Sequence, residues 1–144
     1  MRFLKAVDID ESALGELWEK VSRSGGYYSI GDGSSEGHFR EVFFASEKVL
    51  VGPSLVVRIE LRDGFVEVHP IVFGPEPFRI AADAFDDVIE TRDRCFAGRP
   101  ICCIIPDGMR GARRLARLAG MKEAGKTERS LSGVTVSCTV FARR

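Results

Sequence analysis

Apolar and polar residues change period several times along the chain, and each change marks an element. Phe3–Val7 has the composition of a short first strand. Asp8 and Glu11 then stand at capping-box spacing, and Leu14, Leu17, Trp18 and Val21 recur at helical intervals, predicting a helix that ends near Gly25–Gly26. A Gly/Ser-rich stretch follows from Ser24 to Gly37. Its Gly31-Asp32-Gly33 segment lacks the preceding strand and the glycine spacing of a dinucleotide loop, so turn chemistry explains it better. A short helix from Ser35 to Ala45 would turn Phe39, Val42 and Phe43 inward.

Three strands are expected next, at Lys48–Val51, Leu55–Leu61 and Phe65–Phe73. Asp63-Gly64 is a hairpin signal that pairs the last two antiparallel. Phe78, Ala81, Ala82, Phe85, Val88 and Ile89 form one helical stripe, opposite Asp83, Asp86, Asp87, Glu90 and Asp93. Pro100–Ile105 is a continuous apolar run that predicts a strand buried on both faces. Since a helix joins it to Phe65–Phe73, those two strands should run parallel. Met109–Ala119 is a further helix, with Met109, Ala112, Leu115, Ala116 and Ala119 inward and Gly120 at its C-cap. Two strands close the chain, Met121–Ser130 and Val134–Phe141. In the second, Val134, Val136, Cys138 and Val140 alternate with polar residues, predicting that this face is the buried one.

Composition narrows the class. The chain has 144 residues, 44% of them hydrophobic and 29% charged, which suits one globular domain spanning residues 1–144. Basic and acidic residues number 21 each, so net charge gives no reason to expect nucleic acid as a partner. No stretch is long and apolar enough for a membrane span or a signal peptide, so a cytoplasmic location is expected. The four cysteines include no CxxC pair, and with His38 and His69 the only histidines no metal site is expected. Arg110, Arg113, Arg114 and Arg117 make the C-terminal third basic, as a solvated helix face or a place for phosphates.

The order β-α-α-β-β-β-α-β-α-β-β resembles the GNAT superfamily of N-acetyltransferases, and two stretches strengthen the likeness. Residues Ala112 to Gly125 are similar to the family's fourth helix and following strand, NxxAxxLYxKxGFxxxG. Ala112, Leu115, Gly120 and Gly125 match it, while Met121 replaces the usual Phe. Arg79-Ile80-Ala81-Ala82-Asp83-Ala84 resembles the pyrophosphate loop, with Arg79 and Ala84 matching and Ala82 in place of the central glycine. Glu67-Val68-His69-Pro70-Ile71 is similar to a phage-encoded branch of GNAT-like proteins. The expected fold is therefore α/β (mixed α+β): a mostly antiparallel sheet of six to seven strands, helices on both faces, and a V-shaped splay between strands four and five.

The resemblance implies that acetyl-CoA binds in that splay as co-substrate, with an unidentified amine as acceptor. A helix start offers unpaired N–H groups to a pyrophosphate, so Arg79, Ile80, Ala81, Ala82, Asp83 and Ala84 are candidate contacts, with Met109 and Ala112 at the next helix. Pro70 marks a bulge or unpaired edge, after which the strands should part. Ile71, Val72 and Phe73 are the candidates for bonding the pantetheine amides. Glu67 and His69 lie on one strand face, as candidate general bases or as a structural hydrogen-bonded pair. The family's tyrosine acid corresponds to Ala116 and its asparagine to Met109; Tyr27 and Tyr28 are possible substitutes for the acid. Two functions follow: an acetyl-CoA-dependent N-acetyltransferase, or a degenerate, non-catalytic binding or assembly protein on the same scaffold. Homodimerisation is left open.

Overall fold

The computed structural model describes residues 4–24, 35–73, 78–131 and 133–144, without the side chains of residues 24, 78–82 and 131. Seven strands and four helices follow one another in the expected order: β1 (Lys5–Ala6), α1 (Glu11–Ser24), α2 (Glu36–Phe44), β2 (Lys48–Val51), β3 (Leu55–Arg62), β4 (Phe65–Val72), α3 (Phe78–Cys95), β5 (Ile101–Pro106), α4 (Arg110–Leu118), β6 (Lys122–Leu131) and β7 (Val134–Arg143). They make one sheet of order β1-β2-β3-β4-β5-β7-β6, antiparallel except for the β4–β5 pair. No helix among the described residues is long and apolar enough to cross a membrane. Tyr27, Tyr28 and the Gly31-Asp32-Gly33 turn lie outside the described residues.

Each sheet face has its own core. Leu14, Leu17 and Val21 of α1 and Phe39 and Phe43 of α2 pack on Val49, Val56 and Ile71. On the other face, Ala84 and Val88 of α3 and Ala116 of α4 pack on Leu55, Val57, Val68, Val72, Ile101 and Cys103. The Asp63-Gly64 turn, with Gly64 at φ 84°, sets the β3–β4 register, which runs unbroken from Arg62↔Phe65 to Leu55↔Val72. Gly120 closes α4 as a Schellman cap. Its N–H donates to Arg117 O at 3.0 Å and the Met121 N–H to Ala116 O at 3.0 Å. Gly120 has φ 82°, a conformation that favours glycine, and a Cβ there would also displace the Arg143 guanidinium, whose Nη1 would lie 2.9 Å away.

Four local expectations are corrected. The N-cap of α1 is Asp10, whose Oδ1 accepts from the Ala13 N–H at 2.8 Å, rather than Asp8. In α3 the buried face runs through Ala84, Asp87, Val88 and Thr91, while Phe85 and Ile89 are only partly covered. Asp87 is buried because its Oδ2 accepts the Leu4 N–H at 2.8 Å. In β5, Ile101, Cys103 and Ile105 are buried but Cys102, Ile104 and Pro106 are half-buried. The apolar core beneath α1 and α2 takes its strand residues from β2, β3 and β4 only. In β7, Thr139 and Phe141 are buried on the face opposite Cys138, and Val134 is 61% exposed. β5 pairs with β7 only from Cys138 onward, so the hairpin tip extends past its neighbour.

Candidate functional site

β4 and β5 part early. Their parallel pairing comprises Val66↔Ile101 and Glu67↔Cys102 only. The separation therefore begins after Glu67, three residues before the proline expected to start it. Pro70 causes no bulge, since it pairs in register with Val57. The Phe73 N–H donates to Ser54 O at 2.8 Å and the Val66 N–H to Pro100 O at 3.0 Å. Successive residues alternate, so odd-numbered amides of β4 face β3 and even-numbered ones face β5. The donor that Pro70 lacks belongs to the open side, where the ladder has already ended.

The gap opens into a cavity of about 370 Å³. Its wall is mostly apolar: Val68, Val72, Phe85, Cys103, Leu115 and Ala116 among others. Most of these belong to the α3–α4 side of the sheet. His69, Ile104 and Pro106 belong to the opposite side, sharing the parity of the Glu67↔Cys102 pair. Residues of both side-chain parities thus contribute to its wall. Among the described lining residues, His69 is the one whose side chain ordinarily titrates near neutral pH. The Cys103 thiol is pushed up to about 12 by burial, with the negative charge of Glu67 adding to the effect.

Beside His69 lies an ion-pair cluster. Glu67 is 1% exposed. Its Oε1 accepts from Arg62 Nε at 3.0 Å and from Arg129 Nη2 at 3.2 Å, and its Oε2 is 3.0 Å from Arg129 Nη1. His69 Nε2 is 3.4 Å from Glu67 Oε2 and 3.6 Å from Glu60 Oε1. Glu60 in turn pairs with Arg58 and Arg62. Burial alone would raise the Glu67 carboxyl, but the positive charge His69 carries when protonated and the hydrogen bonds from Arg129 and Arg62 outweigh it and hold the group below its ordinary value. Both Glu67 oxygens are thus engaged by arginine.

Glu60, Glu67 and His69 each place one ligand atom within 4.8 Å of the others, which is metal-like spacing. The two carboxylates are already matched by three guanidiniums, Arg58, Arg62 and Arg129. That surplus of positive charge opposes a cation.

The remaining expected contacts separate. Val72 has its backbone toward the gap and its side chain in the cavity wall. Ile71 packs under α1 and α2, and by parity its amide, like that of Phe73, faces β3. Met109 and Ala112 line the cavity, Asp83 is exposed, and Ala84 is buried in the core. The side chains of Arg79, Ile80, Ala81 and Ala82 lie outside the described residues; their backbone forms the first turn of α3. The cluster partners Glu60, Arg62 and Arg129 were not among the candidates. Glu60 and Arg62 were accessible from the hairpin register, which sets Glu60 opposite Glu67.

No protein-family model matches the chain, and no curated protein matches it in sequence; neither comparison supports the phage-encoded branch. Solved structures do match. The Salmonella typhimurium acetyltransferase that modifies the N-terminal serine of ribosomal protein L7/L12 superposes with TM-score 0.77 at 13% identity, over 99% of this chain and 95% of that one. A putative acetyltransferase of Salmonella typhimurium with its cofactor acetyl-CoA gives 0.70 at 13%, over 99% and 94%. A spermidine N-acetyltransferase chimera from Vibrio cholerae gives 0.70 at 11%, over 97% and 94%. The fold is that of the GNAT acetyltransferases.

Proposed function

We propose that this GNAT-fold chain is an acetyl-CoA-dependent N-acetyltransferase acting on a primary amine. The observation that carries the reading is the parted β4–β5 pair, with an apolar cavity of about 370 Å³ that His69 helps to line. A pantetheine arm fits such a gap on two grounds: its methylenes suit the apolar wall, and its amides need partners that the unpaired β4 edge offers. Val72 presents an N–H there and Pro70 a carbonyl. The pyrophosphate would meet the unpaired amides at the start of α3.

The amine would enter from the face that carries His69. As the N–C bond forms and the thioester C–S bond breaks, His69 takes the proton lost by the nitrogen and is then the lining group able to return one to the departing sulfur. Ala116 and Met109, at the family's tyrosine and asparagine positions, donate no proton. Glu67 acts on His69 rather than on the amine. The neighbours' acceptors, a ribosomal protein terminus in one and spermidine in another, differ too much to be carried over, so the acceptor here is left as a primary amine.

Binding tests the reading first. Acetyl-CoA at ~100 times its dissociation constant should stabilise the native state by about 2.7 kcal/mol, raising the melting temperature by roughly 2–8 °C. No rise with millimolar acetyl-CoA or CoA would favour the alternative, a binding or assembly module that keeps only the scaffold.

A further inference from the structure

The Glu67 cluster contains a residue from a distant part of the chain. Arg129 sits on edge strand β6, separated from β4 in the sheet by β7 and β5. Even so, its two terminal nitrogens reach the two Glu67 oxygens, at 3.0 and 3.2 Å. The contact spans 62 positions of sequence and meets Glu67, the last β4 residue paired with β5, on the side of the sheet that carries His69. A fork on a carboxylate is the strongest and most directional ion pair proteins make. Here it shares the Oε2 atom that lies 3.4 Å from His69 Nε2.

The described charged and titratable groups around His69 include Glu60 and Glu67 on the negative side, and Arg58, Arg62 and Arg129 on the positive side, with the Cys102 thiol beside Glu67. Two carboxylates alone would favour the imidazolium and spoil the group as a base at neutral pH. Arg58 is 2% exposed and is engaged with Glu60, Ser46 Oγ and the Val42 carbonyl, and Arg62 divides its contacts between Glu60 and Glu67. Arg129 is committed to Glu67 through both ends of its fork.

We infer that Arg129 is a positioning residue that acts through Glu67: it fixes and neutralises that carboxylate so that His69 stays unprotonated, and able to accept a proton, near neutral pH. This rests on the acetyl-transfer reading for its catalytic meaning, but its electrostatic content is independent of any substrate. Removing the Arg129 charge leaves Glu67 held by Arg62 alone and cuts the guanidiniums balancing the two carboxylates beside His69 from three to two. The imidazole must then bind its proton more tightly.

The test is an NMR titration of the His69 imidazole in the full chain without ligand, with His38 as internal reference. In Arg129→Gln the His69 midpoint should move to higher pH by roughly half to one and a half pH units, the scale of one charge several ångströms away in a partly solvated site. Arg129→Lys, which keeps the charge, should stay near the native midpoint. Arg129 is partly exposed on an edge strand, and Arg129→Met serves as a second charge-removing variant if the glutamine disturbs the hairpin. An unchanged or lowered midpoint in a folded charge-removing variant would overturn the inference, as would a lysine variant shifted as far as the glutamine. If acetyl transfer is found, the acid limb of its pH–rate profile should move in the same direction in Arg129→Gln. A shifted imidazole without any turnover would uphold the electrostatic role and reject the enzyme reading instead.

Discussion

Replacing His69 with alanine will cut acetyl transfer by roughly 10²–10⁴-fold, the usual worth of a positioned general base. Acetyl-CoA should still raise the melting temperature as it does for the native protein. The two outcomes belong together because His69 is half-buried at the cavity edge, while the unpaired β4 backbone and the apolar wall that would hold the co-substrate are made by other residues. The measurement is release of free CoA thiol in the presence of a panel of primary amines, for the native chain and the variant. Glu67→Gln is the control. With both its oxygens bonded to arginines, Glu67 is proposed to act through His69, so its loss should show mainly as a changed pH dependence. A native rate in His69→Ala alongside a collapsed rate in Glu67→Gln would reverse the two roles.

The second large effect is on binding. Ala116 is 6% exposed, sits on the inner face of α4 and lines the cavity opposite the parted strands. Ala116→Phe places a ring in that space. The variant alone should be as stable as the native chain or gain about 0.5–2 kcal/mol, because it fills a void without touching the Ala116 carbonyl used in the Schellman cap. The stabilisation by acetyl-CoA, about 2.7 kcal/mol at ~100-fold saturation, should vanish, and turnover with it. Thermal melts with and without acetyl-CoA read both quantities. A native-sized shift in Ala116→Phe would place the ligand outside this cavity.

Periodicity made most of the fold legible because most of its signals are local. The Asp63-Gly64 turn fixed a complete strand register, and Gly120 marked the end of α4 through the positive φ that glycine adopts readily. The failures have a common cause. Asp87 is buried on a helix face that charge would place in solvent, because one backbone amide 83 positions away needs an acceptor. Pro70 suggested where the strands separate, but the separation is set by the last paired residues, Glu67 and Cys102, and the proline merely tolerates it. In the site, Glu67 and His69 were evident as a same-face pair. With the hairpin register, Glu60 and Arg58 follow, since they face Glu67 and His69 across β3. Arg129 does not follow from any local rule: its approach depends on how β6 is placed relative to β4, with β5 and β7 between them in the sheet, a tertiary property that no spacing encodes.

Backbone hydrogen exchange at Val72 tests the parted strands most directly. Its N–H points toward the side where β5 has already turned away, whereas those of Ile71 and Phe73 point to β3. Without ligand, the Val72 amide should exchange faster than both of its neighbours, and acetyl-CoA should slow it selectively by offering the acceptor that β5 does not. A Val72 amide as protected as Ile71 in the free protein, and unaffected by acetyl-CoA, would contradict the open gap on which the proposed chemistry depends.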